Sequence, residues 1–218
     1  MLQINTTPSA KIPWNKGKIV GQKPPLKQKE VWEIRVHLQM QHKTRDLAMF
    51  NLAIDSKLRS CDLVKLKVKD VQRGTALLKR ASVVQQKTHQ TVQFEITEQT
   101  RAALQDWITQ AGLRYDDYLF KSRLRGSEHL STRQYARIVE SWVAEIGLDP
   151  AAYGTHSLRR TKASLIYKKT KNIRVVQLLL GHKKLESTVR YLGIDVDDAL
   201  EISEHTEIYG IICGLAVI

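Results

Sequence analysis

Apolar residues recur at helical spacing through most of the chain. Val31, Ile34 and Leu38 share one face of the segment from Glu30 to Gln41, the repeat of an amphipathic helix. Thr44 is placed to open a second helix, whose apolar face is Leu47, Phe50 and Ile54. The turn Asp55-Ser56-Lys57 ends it, and Ser60 is placed to cap a third. From Thr97 to Ala111 the pattern puts Ala103, Leu104, Trp107, Ile108 and Ala111 on one side. Ser131 then opens a long helix with Tyr135, Ile138, Trp142 and Ile146 in register, and Gly147 stops it. At that spacing its aromatic residues read as core rather than as base-stacking platforms. Its outer face offers Arg133 and Arg137 for phosphates or a groove edge.

The same period returns near the end. Ser157 to Tyr167 predicts a helix, with Leu158, Ala163, Leu165 and Ile166 as its inward candidates. Asn172 is a candidate N-cap for Ile173 to Leu180, and Gly181 stands where a C-cap glycine belongs. His182 therefore falls in a turn, followed by a short helix from about Glu186 to Leu192. Between Thr75 and Ile96 the pattern changes. The runs Thr75–Lys79, Ala81–Gln85 and Thr91–Ile96 are short and alternating or β-branched, which predicts a small three-stranded antiparallel sheet. The fold class is α+β, mostly helical.

Composition narrows the function. In 218 residues there are 35 Lys+Arg against 22 Asp+Glu, a net charge of +13. That surplus favours a polyanionic partner, although a ribosomal-type or merely soluble basic protein would share it. Cys61 and Cys213 are too few for a disulfide framework, and neither has metal-ligand spacing around it. No metal and no cofactor is expected, and a reduced cytoplasm fits. No secretory signal opens the chain, and no run approaches the ~20 apolar residues of a membrane span.

Residues 1–29 hold six lysines, four of the five prolines and no acidic residue. They read as an extended basic arm, lying along DNA phosphates or forming a tail without a core. Trp14 favours the former. Residues 30–208 form the main domain. Residues 209–218 form an apolar tail that docks on a neighbour, docks on its own domain or has no role.

The densest chemistry lies between Gly154 and Tyr191. His156 and Arg159 are three apart, which puts them on one helix face. His182 and Tyr191 follow. A phosphodiester gathers negative charge on its non-bridging oxygens in the transition state, and fixed arginine forks suit it. A tyrosine hydroxyl, with a normal pKa of about 10, needs cations or a base around it to attack. His-x-x-Arg by chance is common, Leu-Gly-His is often only a helix stop, and an amphipathic tyrosine is usually core. In this order and in a basic chain the three together point to phosphodiester cleavage.

The arrangement resembles the tyrosine recombinase, or phage integrase, family. His156-x-x-Arg159, Leu180-Gly181-His182 and Tyr191, nine residues beyond that histidine, match its pattern without a gap. Leu58-Arg59-Ser60-Cys61-Asp62-Leu63 matches the family's Leu-Arg-x-x-Glu/Asp-Leu. The resemblance covers about Val31 to Glu207 and implies the tyrosine recombinase catalytic-domain fold. It implies that Tyr191 is the nucleophile and that Arg59, Arg159 and His182 hold the phosphate. It further implies that His156 assists proton movement and that Asp62 buttresses the arginines. Lys87, in the turn after the second strand, is the implied general acid, with Lys79 as the weaker rival.

The implied function is a site-specific DNA recombinase or integrase working through a 3′-phosphotyrosyl intermediate. Its expected partners are double-stranded DNA, a homo-tetramer on that DNA and an accessory DNA-bending protein. A catalytically idle DNA-binding relative and a type IB topoisomerase are the alternatives. Family members typically carry a helical DNA-clamping domain of about a hundred residues before the catalytic one. The roughly thirty residues before the first helix here are well below a domain.

Overall fold

The computed structural model describes residues 22–122, 126–194, 200 and 203–204. Trp14, the stretch of the expected arm up to residue 21, and the apolar tail at 209–218 lie outside the described residues. Helix α1 runs Gln28–Met40 and α2 Thr44–Ser56; the short turns α3 and α4 are Ser60–Leu63 and Val68–Val71. Strands β1 (Gln72–Arg73), β2 (Ala76–Leu77), β3 (Arg80–Val84) and β4 (Thr91–Glu95) follow. Then come α5 (Glu98–Gln110), α6 (Thr132–Glu145), α7 (Thr155–Thr170), α8 (Ile173–Leu180) and α9 (Leu185–Leu192). The mostly helical α+β class is as the sequence predicts. No helix among the described residues is long and apolar enough to cross a membrane.

Helix α2 is the centre of the molecule. Every residue from Ala48 to Ser56 is buried, as expected of a helix packed on several sides. It lies against α1, α5 and α7. The aromatics of α6 are core: Trp142 meets Phe50 edge-on at 5.5 Å, and its indole N–H donates to Asp46 Oδ2 at 3.2 Å. Thr44 and Ser60 are the first helical residues of α2 and α3, with Lys43 and Arg59 at the cap positions, whereas two other caps are as the sequence predicts. Ser131 and Gln134 form a capping box on α6, and the Asn172 side chain accepts the Val175 N–H on α8.

The strands differ from expectation. Among the described residues there are two separate two-stranded sheets, β1–β2 and β3–β4, rather than one sheet of three strands. The Thr75–Lys79 run folds back on Gln72 and Arg73, because Gly74, at φ +61°, makes a tight hairpin turn before it. It meets the second hairpin at its end, where the Lys79 carbonyl accepts the Ile96 N–H at 2.9 Å. In β3–β4 the register pairs Ala81 with Phe94 and Val83 with Val92. That turns Ala81, Val92 and Phe94 into the core.

Two apolar clusters result. The larger joins α1, α2, α5, α6 and the β3–β4 face. The smaller holds Ala163, Val176 and Leu180, with Ile166, Tyr167, Tyr191 and Leu192 packed on it. Helices α7, α8 and α9 thus form a small subassembly, and α8 also rests on β4. The chain entering α1 crosses this subassembly. Leu26 is buried, and its N–H donates to Thr161 Oγ1 on α7 at 3.0 Å.

Candidate active site

Two side chains distant in sequence, Arg159 and Gln85, converge on the carbonyl of Leu180. Helix α8 ends there because Gly181 adopts the left-handed conformation, at φ +66°. A side chain at this position would also overlap Val92 Cγ1 and crowd the Gln85 amide, so glycine is required twice over. The buried Leu180 carbonyl, left over at the helix end, accepts from Arg159 at 2.8 Å and from the Gln85 side-chain amide at 3.1 Å.

Arg159 projects from α7 and is 2% exposed. Its other terminal nitrogen donates to the carbonyl of Lys57 at 2.6 Å. Lys57 offers that carbonyl because it caps α2 in the left-handed conformation, at φ 54°. Its own ammonium turns inward to the Asp55 carbonyl at 2.5 Å and both Glu95 oxygens at 3.1 Å. Lys162 completes this network, reaching Asp55 at 2.6 Å and Glu95 at 2.5 Å. Burial weighs against the charge on Lys162, but the two carboxylates outweigh it and hold its pKa above the ordinary value. The base beneath Arg159 is therefore a mutually neutralised ion cluster.

Arg59 caps α3 with extended backbone. Its guanidinium donates to Gln85 Oε1 at 2.5 Å, and the Thr88 hydroxyl donates to the same oxygen at 2.8 Å. Gln85 directly follows β3 and is 1% exposed. It thus links Arg59, the β3–β4 hairpin and the end of α8. The charge of Asp62 favours the charged form of Arg159, and its side chain also holds the hairpin. Its Oδ1 accepts the Gln86 N–H at 2.9 Å and so pins the hairpin beside Lys87. Lys87 is exposed on that hairpin, close enough for its charge to act on His156. Lys79 precedes β3, away from the hairpin tip.

His182 lies just past Gly181. One ring nitrogen pairs with Thr188 Oγ1 at 3.1 Å, and its carbonyl accepts from Gln177 at 3.1 Å. The Tyr191 ring meets the His182 ring edge-on at 5.4 Å. The guanidinium carbons of Arg159 and Arg160 stand 5.9 Å and 4.7 Å from the Tyr191 centroid. The Tyr191 hydroxyl points to the His156 carbonyl, 3.5 Å away.

Arg59, His156, Arg159, His182 and Tyr191 thus share one surface, with Lys87 at its edge. Gln85, Thr188 and Arg160 were not anticipated; each is of a type usually solvated, and none carries a sequence signal. Among the described residues no group of three or more His, Cys, Asp or Glu side chains could hold a metal ion.

The charges set proton states. Burial, then the charges of Arg159 and Arg59, lowers the His182 pKa to about 4. Partial burial and the cations Arg159, Arg160, Arg59 and Lys87 also hold His156 below its usual value. Both imidazoles are therefore neutral at neutral pH, and His156 is free to accept a proton. Burial pushes the Tyr191 hydroxyl up, while Arg159, Arg160 and Arg59 pull against it. Burial lowers Arg159 to about 10, which leaves it charged at neutral pH.

The model of the phage integrase family matches residues 25–197. A probable integrase/recombinase, YoeC of Bacillus subtilis, is 33% identical over 168 residues, covering 77% of this chain and 87% of that protein. A tyrosine recombinase of Pseudothermotoga lettingae is 33% identical over 150 residues, covering 69% of this chain and 50% of that one. The chain thus spans most of the first relative and half of the second. In fold it resembles the crystal structure of XerA recombinase, with a TM-score of 0.69 at 21% identity, over 87% of this chain and 68% of that one. XerH bound to its palindromic difH substrate gives 0.65 at 21% identity, over 84% and 53%. A family model spanning most of the chain and a relative a third identical along most of its length agree with the converged arginines, histidines and tyrosine: the chain belongs to the phage integrase family of tyrosine recombinases.

Proposed function

We propose that this chain is a site-specific DNA recombinase that cuts and rejoins DNA through Tyr191. The observation that carries the reading is the anchoring of Arg159. Two of its donors are fixed on the Lys57 and Leu180 carbonyls, leaving the remaining donors for a phosphate beside the Tyr191 ring. Such a preorganised fork stabilises charge that develops in the transition state.

In the proposed reaction the Tyr191 oxygen attacks the scissile phosphorus and the bond to the 5′ oxygen breaks. His156 takes the tyrosine proton, which its neutral state allows. Lys87 gives a proton to the leaving 5′ oxygen. Arg59, Arg159 and His182 bind the non-bridging oxygens. The 3′-phosphotyrosyl link keeps the bond energy, so rejoining draws on no nucleotide and no metal. A 5′-hydroxyl from the partner duplex then displaces the tyrosine and completes the exchange. Double-stranded DNA is the substrate, a homo-tetramer the working assembly, an accessory DNA-bending protein a further partner, and the bacterial cytoplasm the setting.

The test is covalent trapping. Cells expressing the protein are denatured, DNA attached to it is recovered, and the attached ends are sequenced. Discrete ends are expected, and Tyr191→Phe should abolish them while duplex binding persists. Binding without attachment in the unsubstituted protein would overturn the reading in favour of an idle relative. Relaxed circles without recombinant junctions would point to a topoisomerase.

A further inference from the structure

Arg159 and Arg160 are neighbours on α7 but point about 100° apart, as successive helical residues must. Arg159 faces the carbonyls of Lys57 and Leu180. Arg160 faces the other way and is also buried, at 8% exposure. It lies nearer the Tyr191 ring than Arg159 does, at 4.7 Å against 5.9 Å. That is within the range in which a cation is attracted to an aromatic face.

What holds Arg160 there is the chain entering α1. Its two terminal nitrogens donate to the Lys23 carbonyl and to Gln22 Oε1. The same Gln22 amide donates from Nε2 to the carbonyl of Arg190, the residue before Tyr191, at 2.7 Å. One glutamine side chain therefore ties the α7 arginine to the backbone of α9. The strap is itself fastened on both sides. The Lys23 ammonium donates to the Tyr153 carbonyl at 2.5 Å, and Leu26 N–H donates to Thr161 Oγ1. Gly154, at the start of α7, leaves room for the Lys23 side chain, which a Cβ would approach to 3.3 Å.

We propose that Arg160 is a positioning residue for Tyr191, and that Gln22 to Leu26 act as a strap that holds Arg160 and α9 in the attacking arrangement. The inference rests on the proposed role of Tyr191 as nucleophile. Arg160 acts through the ring of Tyr191 rather than on the phosphate. A backbone carbonyl and an amide oxygen cover its terminal nitrogens, so DNA affinity should not depend on it. Loss of the strap should therefore slow attachment without weakening binding.

The experiment uses the full chain with Arg160→Gln, Arg160→Lys and Gln22→Ala. Gln22 is exposed, so Gln22→Ala leaves the core intact. Two readouts are taken. The first is the rate of covalent attachment at saturating duplex beside duplex affinity. The second, free of DNA, is the titration of Tyr191 followed by NMR of ring-labelled tyrosine, with Tyr191→Phe for assignment.

Arg160→Gln is expected to slow attachment about tenfold, with affinity within about twofold, the scale of one lost cation–ring contact. It should also shift the Tyr191 titration to higher pH, because a cation that favours the phenolate is gone. Gln22→Ala should move both readouts in the same direction, and Arg160→Lys should recover part of the loss. An unchanged Tyr191 titration in Arg160→Gln and Gln22→Ala would overturn the proposal, as would a loss confined to DNA affinity. If the unsubstituted protein forms no attachment, the function proposed above fails on its own, and the NMR titration still decides whether Arg160 and the strap govern Tyr191.

Discussion

At the scale of single residues, Gln85 is a buried amide that ties three parts of the candidate site together. Its oxygen holds the Arg59 guanidinium and the Thr88 hydroxyl, and its nitrogen holds the Leu180 carbonyl. In Gln85→Leu the half-buried Thr88 hydroxyl and one face of Arg59 lose their partner, and the buried Leu180 carbonyl loses one of its two donors. Leaving such a group unpaired costs about 1–3 kcal/mol. The expected result is a drop in urea stability of that order and about a tenfold slower covalent attachment, checked by denaturation midpoints and attachment kinetics on one preparation. Nothing in the sequence marks Gln85, because a glutamine at a strand end reads as solvated. Arg59, His156, Arg159, His182 and Tyr191 could be named as candidates from the sequence because they stand in short motifs that resemble those of the phage integrase family. The supports of that chemistry are backbone carbonyls and an amide, which carry no signature until the chain is folded.

At the scale of elements, the α8–α9 turn decides the geometry. Gly181 ends α8, frees the Leu180 carbonyl and starts the turn that carries His182. Gly181→Ala meets two penalties. A left-handed alanine costs roughly 1–2 kcal/mol, and its Cβ must displace Val92 and Gln85. The expected outcome is a loss of about 2 kcal/mol or more in urea unfolding, with attachment reduced further than by Gln85→Leu. An unchanged denaturation midpoint would contradict this account of the turn. The helices and this cap were readable because 3.6-residue periodicity and terminal glycines are local signals. The sheet was misjudged because the partner of Ala76–Leu77 is the pair Gln72–Arg73. Two polar residues carry no strand pattern, so their hairpin could not be seen in the sequence.

At the scale of the whole molecule, the ion cluster under α7 and the two histidines above it respond to pH in the same direction. Asp55 is held below its ordinary value of 3.8 because Lys162, Thr100 and Thr97 outweigh its burial. Glu95 is held below 4.5, where Lys57 and Lys162 outweigh burial. His156 and His182 lie below 6.5, chiefly through burial. For each group the unfolded chain binds a proton more readily than the folded one. Their stabilisation is therefore complete above the unfolded pKa and is lost as pH falls through the folded value. The loss begins with the histidines below 6.5 and deepens with the carboxylates below about 4. A lower urea midpoint at about pH 5 than at about pH 7.5 is expected, and equal midpoints would contradict it.

The basic charge and the helical class were legible at this scale. The cluster was not, since Lys57, Glu95 and Lys162 look like surface residues in the sequence. The ring of Tyr191 bears on one more matter, the making of the protein. Its hydroxyl is raised by burial, and the arginines that offset this come from positions 59, 159 and 160. On a ribosome the tyrosine emerges last of these, and no short peptide around it contains Arg59. On the function proposed above, a nascent or partly unfolded chain would carry Tyr191 without the arginines that make it a nucleophile. The ability to break DNA would then arrive only with the finished fold.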